Sequence, residues 1–176
     1  MNKIFLPFTF LFFAAIIGCN PKPVVKPEYL LLVNDTINDR YGYVSPQRDT
    51  IIPLGKYDFC FTDTFRTYAI VHKSKGYYAI DRDEKELYEV FNYDNGPDYT
   101  EEGYFRIIEN GKIGYADEKT GNVMIKPQYE AAFPFEDGVA RVAVNAKKEM
   151  DGENSVWLSD DWIYIDKKGN VVKKPE

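Results

Sequence analysis

Four tyrosines divide most of this chain into segments of one design, and that periodicity restricts the fold more than any other feature. Counting on the second aromatic of each Gly-Tyr-like start gives Tyr43, Tyr78, Tyr115 and Tyr164, spaced by 35, 37 and 49 residues. Two further offsets coincide, since Tyr57 and Phe61 follow Tyr43 by 14 and 18 residues and Tyr129 and Phe133 follow Tyr115 by the same intervals. Gly103-Tyr104-Phe105-Arg106-Ile107-Ile108 also lies over Gly138-Val139-Ala140-Arg141-Val142-Ala143. The last segment keeps Tyr164-Ile165-Asp166, a Lys167-Lys168-Gly169-Asn170 turn and Val171-Val172. Such a period builds repeated supersecondary units, each burying its apolar surface against a neighbour.

The local pattern within a unit is that of strands. Alternation around Tyr115 and Asp117 predicts a half-buried strand, Gly121-Asn122 a reversal, and Val123-Met124-Ile125 a return strand running to Pro127, which has no N–H for a ladder. A third strand is expected at 138–144, with Val139, Ala140, Val142 and Val144 as its apolar content. The chain has 14 Tyr and 12 Phe, frequent Gly, Pro and Asn/Asp breaks and no long helical pattern, a β composition. The predicted class is all-β, an antiparallel meander of about four degenerate ~35-residue units rolled toward a closed or barrel-like sheet. Closure is expected because Tyr29-Leu30-Leu31-Leu32-Val33-Asn34 resembles a third strand such as 140–145, whereas the last unit lacks one. Residues 29–34 should then pair near the hairpin at 162–173; the competing picture is an open stack in which they pair only with the first unit.

One full unit carries a family resemblance. Gly111-Lys112-Ile113-Gly114-Tyr115-Ala116-Asp117, the Thr120-Gly121 turn, Ile125-Lys126-Pro127-Gln128-Tyr129 and Phe133-Pro134-Phe135-Glu136-Asp137-Gly138-Val139-Ala140 resemble the WG repeat, a β-rich unit named for a Trp-Gly pair. The other units are degenerate: Tyr41-Gly42-Tyr43 in the first, Gly76-Tyr77-Tyr78 in the second, and Trp162-Ile163-Tyr164 in the fourth, where the tryptophan survives and the glycine does not. The resemblance covers roughly residues 38 to 175. It implies a binding or structural module of cell-envelope proteins and brings no catalytic residues.

The N-terminus points to export. Lys3 precedes an apolar run at 4–17 that ends in Gly18-Cys19. Fourteen residues with Pro7 inside are too few to span a bilayer, which takes about 20, and suit a secretory signal peptide. Ile16-Ile17-Gly18-Cys19 resembles a bacterial lipobox, so cleavage before Cys19 and lipidation of its thiol, with a palmitate-type acyl chain, are expected. Residues 19–28 include Pro21, Pro23 and Pro27 and read as a tether holding the folded part on the order of 25 Å from the lipid. The domain plan is therefore a lipoprotein signal peptide at 1–18, a Pro-rich tether at 19–28 and a single repeat domain at 29–176.

Charge and motif content narrow the function. A net charge of −6, falling to −7 once Lys3 leaves with the signal, argues against nucleic acid or an anionic lipid surface as partner. No phosphate loop, nucleophile elbow, metalloprotease helix or cofactor motif occurs. His72 is the one histidine and reads as a strand-end residue; Cys60, the one thiol left after lipidation, sits in Tyr57-Asp58-Phe59-Cys60-Phe61 and reads as buried. Residues 92–98 place oxygen side chains as calcium loops do, but Gly103 stands where a closing glutamate would, so a simple Asx/Gly turn is the better reading. Tyr88, Phe91, Tyr93, Tyr99 and Tyr104 are candidates for a sugar- or peptide-binding face, with core packing the plainer role for most of them. The resulting expectation is a non-catalytic, lipid-anchored envelope protein that binds a protein or glycan partner. The alternative is an envelope hydrolase using paired carboxylates such as Asp81 and Asp83 or Asp160 and Asp161.

Overall fold

A computed structural model describes residues 26–74, 76–152 and 154–174. The segment expected to be a signal peptide at 1–18, Cys19 and most of the expected tether at 19–28 lie outside the described residues. The first unit is β1 (Leu30–Asp35), β2 (Arg40–Val44) and β3 (Thr50–Tyr57), continued by the short β4 (Phe59–Cys60) and β5 (Thr64–Phe65). The second is β6 (Tyr68–Lys73), β7 (Gly76–Asp81) and β8 (Glu86–Val90), followed by β9 (Asn92–Tyr93) and β10 (Gly96–Pro97). The third is β11 (Tyr104–Glu109), β12 (Lys112–Asp117) and β13 (Val123–Tyr129), continued by β14 (Ala131–Glu136). The fourth is β15 (Val139–Ala143), β18 (Ile163–Asp166) and β19 (Val171–Val172), with the hairpin of β16 (Lys147–Asp151) and β17 (Asn154–Leu158) inserted between its first two strands. That insertion accounts for the long last spacing of 49.

Each unit contributes the same three-strand meander, the second and third units joining through β8 and β11 into one seven-strand sheet, β13-β12-β11-β8-β7-β6-β4, and all pairing is antiparallel as expected. The third strand of a unit does not end in its own sheet. Past Tyr57 the chain crosses so that Phe59 faces His72 and Cys60 faces Val71; Val90 faces Ile107; and beyond Tyr129, Phe135 faces Ala140. A two-residue loop joins the first two strands of the third unit. Asn110-Gly111, with φ of 52° and 73°, is the type I′ pair that fits the right-handed twist of a hairpin.

The core lies between units rather than within them. Leu30, Tyr43 and Ile52 meet Ala69, Val71 and Ile80; Ala79 and Val90 meet Phe105 and Ile107; Tyr115, Ile125 and Phe135 meet Ala140, Val142 and Ile165. A unit with neighbours on both sides therefore buries both faces. This corrects the expectation of a half-buried strand at Tyr115, since Ile113, Gly114, Tyr115 and Ala116 are all buried. The two fully buried repeat tyrosines have their hydroxyls satisfied: Tyr43 donates to the Thr62 carbonyl at 2.8 Å and Tyr115 to the Phe133 carbonyl at 2.6 Å.

The expected closure is also corrected. The strand foreseen at 29–34 forms as β1 and takes the role that β15 has in the fourth unit, but its partners are β2 and β5 and not the C-terminal hairpin. Leu30 faces Phe65 and buries against its own first unit, so that β5 takes the start of the edge that the far end was expected to cover. No sheet closes on itself among the described residues, and the units stack in the open.

The glycine of the repeat has a steric cause. In the first and third units the last strand bulges: Tyr41 faces Tyr57 while Tyr43 faces Ile52, and Ile113 faces Tyr129 while Tyr115 faces Ile125. The bulge passes directly over Gly42 and Gly114, where an added Cβ would stand 2.6 Å from the Ile52 carbonyl oxygen or 2.4 Å from that of Ile125. Where the glycine is replaced by Tyr78, pairing with the third strand continues residue for residue through Tyr77–Val90, Tyr78–Glu89 and Ala79–Tyr88.

This also resets one alignment. Ser45, Asp81, Asp117 and Asp166 each donate their N–H across the turn, to the carbonyls of Asp49, Lys85, Asn122 and Asn170. Two residues earlier stand Tyr43, Ala79, Tyr115 and Tyr164, so the counterpart in the second unit is Ala79 rather than Tyr78, and the spacings become 36, 36 and 49.

Candidate functional site

The most tightly built polar group in the fold is Arg106 on β11. Its Nε donates to Asp98 Oδ2 at 2.9 Å, its Nη2 to Asp98 Oδ1 at 2.5 Å, and its Nη1 to the Ala132 carbonyl at 3.1 Å, while its backbone N–H adds a bond to Asp98 Oδ2 at 2.7 Å. The Phe91 ring lies 4.2 Å below the guanidinium. Both side chains are buried, so the pair stands because nearly every donor and lone pair is used. Its purpose is local: it pins the segment after β10 across β11.

The outer face of the fourth unit is built on the same plan and is open. Arg141 on β15 faces Tyr164 on β18, which faces Val172 on β19. Cross-strand partners share a face, so Val139, Arg141, Tyr164 and Trp162 stand together on the side away from the third unit. The Arg141 guanidinium lies 4.1 Å over the Trp162 ring and 5.8 Å from Phe133, and Phe133 and Trp162 are 5.5 Å apart. Beside them runs a groove of about 400 Å³ lined by Phe133, Pro134, Glu136, Asp137, Tyr164 and Lys174. Phe133 is 40% exposed there.

A second aromatic ladder, exposed at Phe59 and Phe61 and buried at Tyr77, marks the junction of the first two units. Phe61 packs on Phe59 at 4.6 Å and on Tyr77 at 5.5 Å, and Phe59 on Tyr41 at 4.3 Å. Phe61 and Phe133 stand at equal offsets from Tyr43 and Tyr115, and Tyr77 and Trp162 stand four residues before Asp81 and Asp166. The Phe–Tyr and Phe–Trp stacks are thus the same position used twice.

The residues singled out in the sequence separate into different places. Of the aromatic set at 88–104, Tyr93 and Tyr99 are exposed and stack edge to face at 5.0 Å. Tyr88 is buried with its hydroxyl on the Gly121 carbonyl, Phe91 lies under Arg106, and Tyr104 packs on Phe135. The loop at 92–98 is a tight hairpin whose Asp98 carboxylate is taken by Arg106. Cys60 and His72 are not paired: Cys60 faces Val71 and points inward, whereas His72 lies 3.4 Å from Asp58 and stacks near Tyr77. Burial pushes the Cys60 thiol up to about 11, the opposite of what a nucleophile needs. Asp81 accepts the N–H groups of Asp83 and Lys85, Asp83 pairs with Lys26, and Asp161 meets Asn145; Asp81 holds its own turn. No cluster of metal-ligand type forms among the described residues. Sequence reasoning missed the Arg106–Asp98 and Arg141–Trp162 pairs. Their signal was the gapless correspondence of 98–106 with 133–141, which aligns the two arginines.

No curated protein and no solved structure matches the chain. Residues 113–147 match the family model described as WG containing repeat, which covers β13 and β14, most of β12 and the whole of β15. The match supports the WG-repeat family, and with it a repeat-containing interaction module, at the unit where the sequence resemblance is fullest.

Proposed function

We propose that this protein is a non-catalytic binding module of the bacterial cell envelope, held to a membrane by a lipid on Cys19 and presenting its last repeat to a partner. One observation carries the reading. The position that packs against the next unit in the third repeat, around Tyr115, is solvent-facing in the fourth, where Phe133, Arg141, Trp162 and Tyr164 line or flank the groove. Aromatic and arginine side chains already held in place cost little further entropy to bury, which is why such residues concentrate affinity at interfaces. The anchor rests on the lipobox at 16–19 and the proline-rich segment behind it.

The test is capture from detergent-solubilised envelopes by the wild-type domain beside Phe133→Ser and Trp162→Ala. The expected result is a partner retained by wild type and lost by both variants, with unchanged circular dichroism. Equal retention by all three, or none by wild type, removes the reading. Membrane attachment is checked separately: Cys19→Ser should abolish incorporation of a labelled fatty acid and move the protein out of the membrane fraction.

A further inference from the structure

The two aligned arginines differ in one partner. Counting without gaps from Gly103 and Gly138, Arg141 corresponds to Arg106 and Phe133 corresponds to Asp98. The backbone agrees, because Arg106 faces Tyr115 as Arg141 faces Tyr164. Both guanidiniums lie over an aromatic ring at nearly equal distance, 4.2 Å to Phe91 and 4.1 Å to Trp162. Arg106 then receives both oxygens of Asp98. Arg141 has a phenyl ring in that place and makes no ion pair among the described residues, so its donors face the groove.

The rim repeats the comparison. Glu102 corresponds to Asp137, and Glu102 is engaged from the following unit: it accepts the Gly138 N–H at 3.1 Å and pairs with Lys167 at 3.0 Å, a contact that holds its carboxyl below the usual value. Asp137 is exposed and makes no ion pair among the described residues. The open face of the fourth unit therefore has an arginine short of a carboxylate and an acid short of a cation, at the positions where the third unit has both satisfied by polypeptide.

We infer that the groove beside Arg141 receives an extended segment of a protein partner, which places a carboxylate on Arg141 in the role of Asp98 and a lysine or arginine on Asp137 in the role of Lys167. Charge complementarity selects a dipolar occupant, since the groove lining includes Arg141 and Lys174 on one side of the balance and Glu136 and Asp137 on the other. The ring geometry selects polypeptide over glycan, because Arg141 already covers a face of Trp162 that a sugar would stack on and Phe133 leans against the same ring. A bidentate carboxylate adds geometric selection that an ammonium would not. This assignment rests on the binding reading above and specifies the ligand of that site.

The experiment uses an array of short synthetic peptides, each with one aspartate and one lysine at varied spacing, the same peptides with asparagine for aspartate, and oligogalacturonate as an acidic glycan. Wild type should retain aspartate–lysine peptides and not their asparagine counterparts. Arg141→Ala and Arg141→Lys should each weaken binding, the former by about tenfold. Phe133→Asp should supply the missing carboxylate from within the chain and block the groove without unfolding the domain. The assignment is overturned if asparagine peptides bind equally, if Arg141→Ala binds like wild type, if oligogalacturonate is retained and peptides are not, or if no peptide binds. Should any of these occur while envelope capture still depends on Phe133 and Trp162, the ligand class is wrong and the binding reading stands.

Discussion

Replacing Gly114 by alanine tests the steric account of the repeat glycine directly. The new methyl would stand 2.4 Å from the Ile125 carbonyl oxygen, 2.5 Å from Pro127 N and 2.8 Å from the Lys126 carbonyl carbon. These lie about 1 Å inside ordinary contact, and every clashing atom is backbone, so no side chain can rotate away. Gly114 is held on the other edge by pairing with Ile107, so the bulge at 126–128 must lift, loosening Ile125 and Tyr129 in the core between the third and fourth units. Overpacking of this kind costs about 1–3 kcal/mol. For a domain of this size each kcal/mol moves Tm by about 2–4 °C, giving a drop of about 2–12 °C. The assay is a thermal melt by circular dichroism, supported by the urea midpoint at constant m. Gly111→Ala is the comparator: it has φ of 73° and no atom within 4 Å of its added Cβ, so its cost is backbone strain alone, about 1–2 kcal/mol. Gly114 does not have a positive φ. A Gly114→Ala protein within 0.5 kcal/mol of wild type, taken as about the noise of a surface substitution, would refute the close-approach argument.

Asp98→Asn should cost about 3–5 kcal/mol in urea unfolding by leaving the buried Arg106 guanidinium uncompensated, and the double replacement Asp98→Leu with Arg106→Met should recover much of it. A loss below about 1 kcal/mol would mean that the pair is not buried as described. Cys60 should react slowly with a bulky thiol reagent in the native protein and rapidly in urea, because it is buried. Its folded value of about 11 lies above the ordinary 9.0, so the unfolded chain loses this proton first as pH rises; the contribution is intact below pH 9 and is lost between 9 and 11, and Cys60→Ala should flatten that part of the stability profile.

The antiparallel β class, a reversal just before Val123 and the strand role of 29–34 were legible because each rests on a local signal, although the turn residues are 118–120 and the strand register matches 29–34 to 138–143 rather than 140–145. Closure was not, because strand resemblance names a role and not a partner, and burial of Leu30 against Phe65 decided between two edges of equal pattern. Strand β12 was misread as half-buried for a related reason. Alternation reports the faces of an isolated sheet, and here a second layer covers the other face, so Gly114, Tyr115 and Ala116 are buried together. The second unit slipped by one residue because its aromatics Tyr77 and Tyr78 are adjacent, whereas Tyr41 and Tyr43 or Trp162 and Tyr164 stand two apart, and only the turn bond at Asp81 fixes which of them stands at the glycine position. At the candidate site, Phe133 was visible by its offset, but its neighbour Arg141 acquires meaning only when set beside Arg106 and Asp98.

The crossing of each third strand into the following sheet means that the period written in the sequence and the period held by hydrogen bonds are out of step. Residues 113–147 contain β13, β14, β15 and most of β12, but the first-strand partner of β12 is β11 and the next partner of β15 is β18, both outside. A repeat cut at those boundaries is therefore an interleaf and not a page. Its outer strands would be torn from their mates while its inner ones stayed paired. Insertion of one more period would lengthen the stack without inventing a junction, because the incoming piece carries the second half of one sheet and the first half of the next.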